Sequence, residues 1–186
     1  MLEVLLDWDR RSLIFLNGLG SETYDVFWSL ATDIATWTPL FVLFFVLIMM
    51  QYRRKEGLLI SLSVVILLLI THLLTDFSKD LFERLRPNND DQIKDLIRIL
   101  KYPKGFSFFS GHASTSFAVT TLVFLFLRRN KGWLSLLFLW PLLFSFSRIY
   151  VGVHFPTDIL TGALVGTILA FVAYSFLKRL IVPGSG

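Results

Sequence analysis

Five stretches of this 186-residue chain contain no Asp, Glu, Lys or Arg: Ile34–Tyr52, Gly57–Thr75, Gly105–Leu127, Gly132–Ser147 and Ile159–Leu177. A helix needs about 20 apolar residues, with a range of about 17–25, to cross the hydrocarbon of a bilayer. Four of the runs reach that length. The fourth in chain order, at 16 residues, is short but begins after basic residues whose long stems can snorkel. A soluble bundle with five such runs would have no face to offer water. With 54% hydrophobic residues and 19 Phe, the runs predict an all-α fold: a polytopic membrane helix bundle of about five transmembrane helices, preceded by N-terminal interfacial helices.

The rest of the composition narrows the class. There is no cysteine, hence no disulfide framework and no thiolate metal site. Acids at Glu3, Asp7 and Asp9 precede Arg10 and Arg11, the reverse of a cleavable signal peptide. The net charge of +4 is spread in clusters flanking the apolar runs, so no nucleic-acid partner is expected. In residues 2–17, Leu2, Leu5, Leu6, Leu13 and Leu16 stand among charges, as in a helix lying in the membrane interface. Gly18-Leu19-Gly20-Ser21 breaks it, and Ser21 or Thr23 can cap a short helix reaching Thr32. Spans are expected over Trp37–Met50, Leu58–Phe77, His112–Leu127, Trp133–Phe146 and Pro156–Leu177, with a long loop from Asn88 to Phe106. Residues 1–35 thus form the interfacial region, 36–180 the transmembrane domain and 181–186 a disordered tail. Arg53-Arg54-Lys55, Arg128-Arg129-Lys131 and Lys178-Arg179 fall at the same ends of the spans, which predicts a cytoplasmic face there and an N-terminus outside.

Three polar blocks interrupt this scaffold, all at the opposite ends of the spans. Lys79 and Arg86 are seven apart, two helical turns, and share a face if the second span continues to Pro87. Arg offers a planar fork to phosphate oxygens and Lys a point charge; taken alone, the pair reads equally well as snorkelling cations. Ser110-Gly111-His112 opens the third span, where unpaired backbone N–H groups face any anion placed there. A histidine at that point can protonate a leaving oxygen, although an N-cap beside an interfacial ring would look the same. In Ser147-Arg148-X5-His154-X3-Asp158, Pro156 suits the first turn of a helix and puts Asp158 within reach of His154. The carboxylate can hold one ring nitrogen and leave the other as a nucleophile; a lone pair at this spacing is often only a helix cap. His72, four residues before Asp76 in the second span, reads as a packed polar pair inside the bundle.

The ordered set Lys79-X6-Arg86-Pro87, Ser110-Gly111-His112, Ser147-Arg148-X5-His154-X3-Asp158 resembles the three-part signature of the type 2 phosphatidic acid phosphatase superfamily. The resemblance spans roughly residues 36–180. It implies a lipid phosphatase that needs no metal or other cofactor and works through a phosphohistidine intermediate. By that likeness His154 is the nucleophile, Asp158 orients it and His112 is the general acid, while Lys79, Arg86, Ser110, Gly111 and Arg148 hold the phosphate. The sequence departs from the pattern at Phe109, where the family usually has proline, which puts the stiffness of that turn in question. It also has an interfacial stretch where relatives have the first of six spans.

The function expected is hydrolysis of a phosphomonoester or diphosphate on a membrane lipid. By likeness to compact relatives, lipid A phosphate and undecaprenyl diphosphate come first, at the outer face of a bacterial cytoplasmic membrane. Phosphatidylglycerophosphate or phosphatidate hydrolysis, phosphotransfer to an acceptor, or plain binding of anionic lipid are the alternatives; the oligomeric state is left open. In the long loop, Ile93, Leu96, Ile97 and Leu100 recur at helical spacing, which predicts a short amphipathic helix beside the site.

Overall fold

Backbone groups within hydrocarbon must be satisfied inside their own segment, which is why apolar runs of this length become helices. The computed structural model describes residues 2–128 and 132–181. Helix α1 covers Leu2–Gly18, α2 Asp25–Ala31, α3 Thr38–Gln51 and α4 Arg54–Phe82. Helix α5 covers Gly111–Leu127, α6 Leu139–Tyr150 and α7 Pro156–Ile181, and no strand occurs among the described residues. Among the described residues, four segments are long and apolar enough to cross a membrane: Ile34–Gln51, Arg54–Asn89, Gly132–Tyr150 and Pro156–Ile181. At 17 residues α5 is shorter, and it is the central helix, packed against α3, α4, α6 and α7. Protein rather than lipid surrounds it, so it tolerates buried Ser114, Ser116, Thr120 and Thr121.

The outer surface is the reverse of a soluble protein's. Leu58, Leu62, Ile66, Leu69, Leu73 and Phe77 on α4 and Leu160, Leu164, Ile168 and Phe171 on α7 are all exposed. Apolar surface on this scale calls for lipid around it, and the chain is a multi-pass membrane protein. Inside, Trp140 gathers Phe41, Phe44 and Phe144 at ring-centroid distances of 5.2, 6.1 and 5.8 Å. The closest helix pair is α5 with α7, where Gly162 and Gly166, four apart, let the backbones approach. A Cβ on Gly162 would stand 2.6 Å from the Ser110 carbonyl oxygen, and one on Gly166 would strike the Ser114 carbonyl.

Three expectations change at the element ends. Helix α4 stops at Phe82, where Glu83 takes a left-handed conformation (φ 45°), rather than running on to Pro87. Lys79 is therefore in the last turn of α4 while Arg86 lies in the extended chain beyond it. Arg148 does not follow the fourth span but occupies the last turn of α6, which is entered through a 3-10 stretch, Gly132–Phe138. The predicted loop helix does not form: only 3-10 turns at Pro87–Asn89 and Lys94–Leu96 break the connection. Its apolar residues serve as anchors instead. Ile93 is buried with Leu13, Ile149 and Phe155, Ile97 packs on the same cluster and Leu100 on Tyr150, Val151 and Val153; Leu96 alone of the four points out. Ile181 is still helical, and the expected tail beyond it lies outside the described residues, as do Arg129 and Lys131 of one basic cluster.

Helix α1 is amphipathic as predicted, but its buried stripe is polar as well as apolar: Asp9, Leu13 and Asn17 are all shielded from solvent. The Asn17 amide nitrogen lies 3.0 Å from the carbonyls of Arg98, Ile149 and Tyr150, and its oxygen accepts from Arg98 N at 2.7 Å. One side chain thereby ties α1, the long loop and the end of α6. Ser21, one of the two expected caps, accepts no side-chain bond from the turn it precedes.

Candidate active site

The turn between α6 and α7 places His154. Val151 N and Val153 N donate back to Ser147 O and Arg148 O, and Gly152 adopts φ +76° so that the chain can reverse. A Cβ on Gly152 would come within 2.5 Å of the Arg98 carbonyl, so the loop fixes this turn from outside. His154 follows, 2% exposed, with Nδ1 3.3 Å from Asp158 Oδ2; Phe155 N donates to the same oxygen at 3.0 Å. Arg86 Nη1 lies 3.2 Å from His154 Nε2. Guanidinium nitrogens only donate. Nε2 must therefore accept, which leaves the ring proton on Nδ1, facing the carboxylate. Burial holds the pKa of the His154 imidazole well below its ordinary value, and the charges of Arg148, Arg86 and Lys79 push it the same way. The result is a neutral ring with its lone pair turned toward fixed cations.

Those cations come from three segments. Arg86, 6% exposed, is aimed by its bonds to Gly105 O at 3.1 Å and Val153 O at 3.3 Å. Arg148 is equally buried and gives Nη1 to Thr32 Oγ1 at 2.5 Å, while its Nε finds no acceptor among the described residues. A buried guanidinium with a spare donor is a natural anion ligand. Lys79 is turned aside: its Nζ is 3.0 Å from Asp76 Oδ1.

At the head of α5, Ser110 is the N-cap. Its hydroxyl accepts from Ala113 N at 3.4 Å and its own N–H donates to the Asp158 carbonyl at 3.0 Å, which locks the start of α5 to the start of α7. The N–H groups of Gly111 and His112, in the first turn, have no acceptor within the helix. Gly111 sits against Thr75, whose methyl would be 3.3 Å from a Cβ there. His112 stacks on Phe144 with centroids 4.5 Å apart, and its Nε2 is 3.3 Å from Thr32 O. Phe109 is buried and meets the Phe108 ring, which in turn packs edge-on to Phe82 at 4.9 Å, so aromatic contacts stand at this turn where the family usually has proline. The peptide bond between the two phenylalanines is cis.

Several supports are invisible in the motif reading. Arg84 bonds Asp158 Oδ1 and Asp9 Oδ2 at 2.6 Å each, reaches Thr157 Oγ1 at 2.8 Å and lies 3.9 Å over the Phe155 ring. Asp9 in turn accepts from Thr157 N at 2.9 Å. Thr32 holds both Arg148 and His112. The only sequence hint was an unpaired acid within the amphipathic α1 and one arginine in excess of the motif. His72 and Asp76 do pair, at 3.4 Å, but their side chains are 60% and 50% exposed on α4 rather than packed inside the bundle, and Lys79 joins them. Among the described residues no three His, Cys, Asp or Glu side chains gather in a metal-binding group.

The structure thus brings Arg86, Ser110, Gly111, His112, Arg148, His154 and Asp158 to one end of the bundle, with Lys79 beside them. Comparison with known proteins agrees with this architecture. The lipid A 4′-phosphatase of Bacteroides thetaiotaomicron is 32% identical over all of this chain and 88% of its own length. That of Porphyromonas gingivalis is 31% identical over 93% of this chain and 74% of its own. The undecaprenyl-diphosphatase of Sulfolobus acidocaldarius is 31% identical over 87% of this chain and 67% of its own length. Two crystal structures share the fold. A transmembrane phosphatidylglycerolphosphate phosphatase from Bacillus subtilis has a TM-score of 0.74 at 23% identity, covering 95% of this chain and 88% of that one. Aquifex aeolicus LpxE has a TM-score of 0.67 at 24% identity, covering 89% and 93%. Residues 57–181, which carry every one of the three blocks, match the model of the PAP2 superfamily, and the chain belongs to that superfamily.

Proposed function

We propose that this membrane lipid phosphatase hydrolyses the phosphate of a glycolipid such as lipid A, through a phosphohistidine on His154. The observation that carries the reading is the tautomer forced on His154 by an arginine on one nitrogen and a carboxylate on the other. In the first step the Nε2 lone pair attacks phosphorus. A P–N bond forms, the P–O bond to the lipid breaks, and the leaving oxygen takes a proton from His112. Thr32 O holds the Nε2–H of His112; His112 therefore enters this step as the imidazolium, protonated on both nitrogens beside the bound phosphate, and the transferred proton comes from Nδ1, leaving the neutral ring. In the second step water attacks phosphorus and gives a proton back to His112. The P–N bond then breaks, releasing inorganic phosphate and free His154. Arg86, Arg148, Lys79, Ser110 and the N–H groups of Gly111 and His112 neutralise charge on the three phosphoryl oxygens. Asp158 holds the ring and offsets its positive charge in the intermediate, and Arg84 with Asp9 positions Asp158.

The glycolipid is favoured because two lipid A 4′-phosphatases align with more than nine-tenths of this chain. The site lies at the end of the bundle away from Arg53, Arg54, Lys178 and Arg179, so by the positive-inside rule it faces outward from a bacterial cytoplasmic membrane. Phosphate release by the purified protein from lipid A, undecaprenyl diphosphate and phosphatidylglycerophosphate tests the reading. The highest kcat/KM is expected on lipid A. A higher value on undecaprenyl diphosphate would move the substrate to a polyprenyl lipid, and no release from any of them would refute the reading.

A further inference from the structure

His72, Asp76 and Lys79 form a ladder up one face of α4, with Asp76 bridging the other two at 3.4 and 3.0 Å. The mechanism above uses only Lys79. The histidine and the aspartate stand half-exposed among Leu69, Ile70, Leu73 and Phe77, residues turned to lipid. Ionisable groups are expensive in such surroundings unless a polar partner meets them, and inside a span they point to a functional site. Their level can be estimated. From Gly57, where the charge-free run begins, to Asp76 α4 rises about 28 Å, close to the hydrocarbon thickness of about 30 Å. Asp76 therefore stands at the depth of lipid headgroups, with His72 one turn deeper.

The same face of α4 continues downward into an apolar groove of about 280 Å³ between α3, α4 and α5, walled by Leu68, Val65, Phe41, Val119 and Val123 among others. On α4 the steps 61, 65, 68, 72, 76 and 79 follow helical spacing, so groove, polar pair and Lys79 lie on one stripe. On α5, Val119 lies seven residues, two turns, below His112 on the same face. Ile34, also in the groove wall, is two residues from Thr32, which holds His112 and Arg148. By helical spacing His72 and Asp76 thus stand on α4 between the groove and Lys79, on the side of the bundle from which the phosphate cradle is approached.

We propose that His72 and Asp76 form a headgroup subsite that hydrogen-bonds the hydroxyl or amide groups of a glycolipid phosphate. One acyl chain of that lipid lies in the groove below, and its phosphate reaches the cradle above. The inference rests on the glycolipid reading of the function. A carboxylate only accepts hydrogen bonds, so Asp76 requires donors, which sugar hydroxyls and amides supply. A polyprenyl or alkyl phosphate has none between its chain and its phosphate. Once Lys79 turns to the phosphate, Asp76 is released to take these donors.

The test is the ratio of kcat/KM on lipid A to that on dodecyl phosphate, measured on the same preparation of wild type, Asp76→Leu, Asp76→Asn and His72→Leu. The ratio cancels differences in folded fraction and any effect on Lys79 common to both substrates. It should fall at least ten-fold in Asp76→Leu and His72→Leu, and less in Asp76→Asn, which keeps one acceptor. An unchanged ratio in both leucine variants, in an enzyme that does act on lipid A, overturns the subsite alone. A wild-type enzyme inactive on lipid A but active on undecaprenyl diphosphate overturns the glycolipid reading and the subsite with it.

Discussion

Replacing Arg84 by Ala removes a side chain that joins both buried carboxylates near the site. Asp158 is fully buried and Asp9 nearly so, and each receives a guanidinium bond of 2.6 Å from Arg84, itself about four-fifths shielded. Truncating one partner of a buried ion pair costs about 3–5 kcal/mol. For a chain of this size each kcal/mol lowers Tm by about 2–4 °C, so a drop of roughly 6–20 °C is expected. Catalysis should fall by a different route. Asp158 keeps Phe155 N on Oδ2 but loses its anchor on Oδ1, so His154 is held less firmly. Losing an orienting aspartate in an analogous triad costs about 10⁴ in kcat; loosening it should cost less, on the order of 10². KM should change little, because Lys79, Arg86 and Arg148 remain. Arg84→Lys should recover only part of both losses, since an ammonium cannot fork between two carboxylates. Phosphate release kinetics and thermal unfolding in detergent measure both effects. Wild-type kcat and Tm in Arg84→Ala would refute the positioning role, and a loss confined to KM would make Arg84 a phosphate ligand instead.

Gly162→Ala drives a methyl into the Ser110 carbonyl at the head of α5; activity should fall at least ten-fold, and an active, equally stable variant would show that α5 and α7 separate freely. The depressed pKa of His154 keeps the nucleophile neutral below 6.5, so the acid limb of kcat/KM should lie below pH 6.5, and a limb at or above that value would contradict the assignment. The same shift sets a stability trend: the unfolded chain takes up the His154 proton first, so its contribution is complete above about pH 6.5 and is lost as pH falls toward the depressed folded value. Tm should therefore drop more steeply with acidification in wild type than in His154→Asn. Excess chelator should leave hydrolysis unchanged, because Asp158, the only carboxylate among the named positions of the three blocks, is committed to His154 and Arg84; loss of activity restored by Mg²⁺ or Zn²⁺ would refute a cradle of fixed cations.

The helices and the cluster of blocks at one end were legible because charge-free runs have a length set by the bilayer and alternate in direction. Local spacing was enough for His154–Asp158, which meet within one turn, and for the Ser110 cap. It failed where the chain leaves a helix. Arg86 reaches the site from extended chain after the left-handed Glu83 rather than by helical period, and no local pattern announces that conformation in a glutamate. The loop's helical period was real but was overridden: Ile93, Ile97 and Leu100 are drawn onto Leu13, Ile149 and Val151 from distant parts of the chain. Arg84–Asp9 and Arg148–Thr32 are pairs separated by 75 and 116 positions, a proximity that only the folded bundle creates.

The central claim is that His154 Nε2 takes the phosphoryl group. Rapid mixing of the enzyme with ³²P-labelled lipid phosphate, quenched in alkali within the first turnover, tests it directly. The account predicts enzyme-bound label that is stable in alkali, lost in acid and mapped to His154. The label should be absent in His154→Ala, and in Asp158→Asn it should form about 10⁴ more slowly, by analogy with the orienting aspartate of a triad. Phosphate released through full turnovers with no labelled protein at any time, or label carried by another residue, would contradict it.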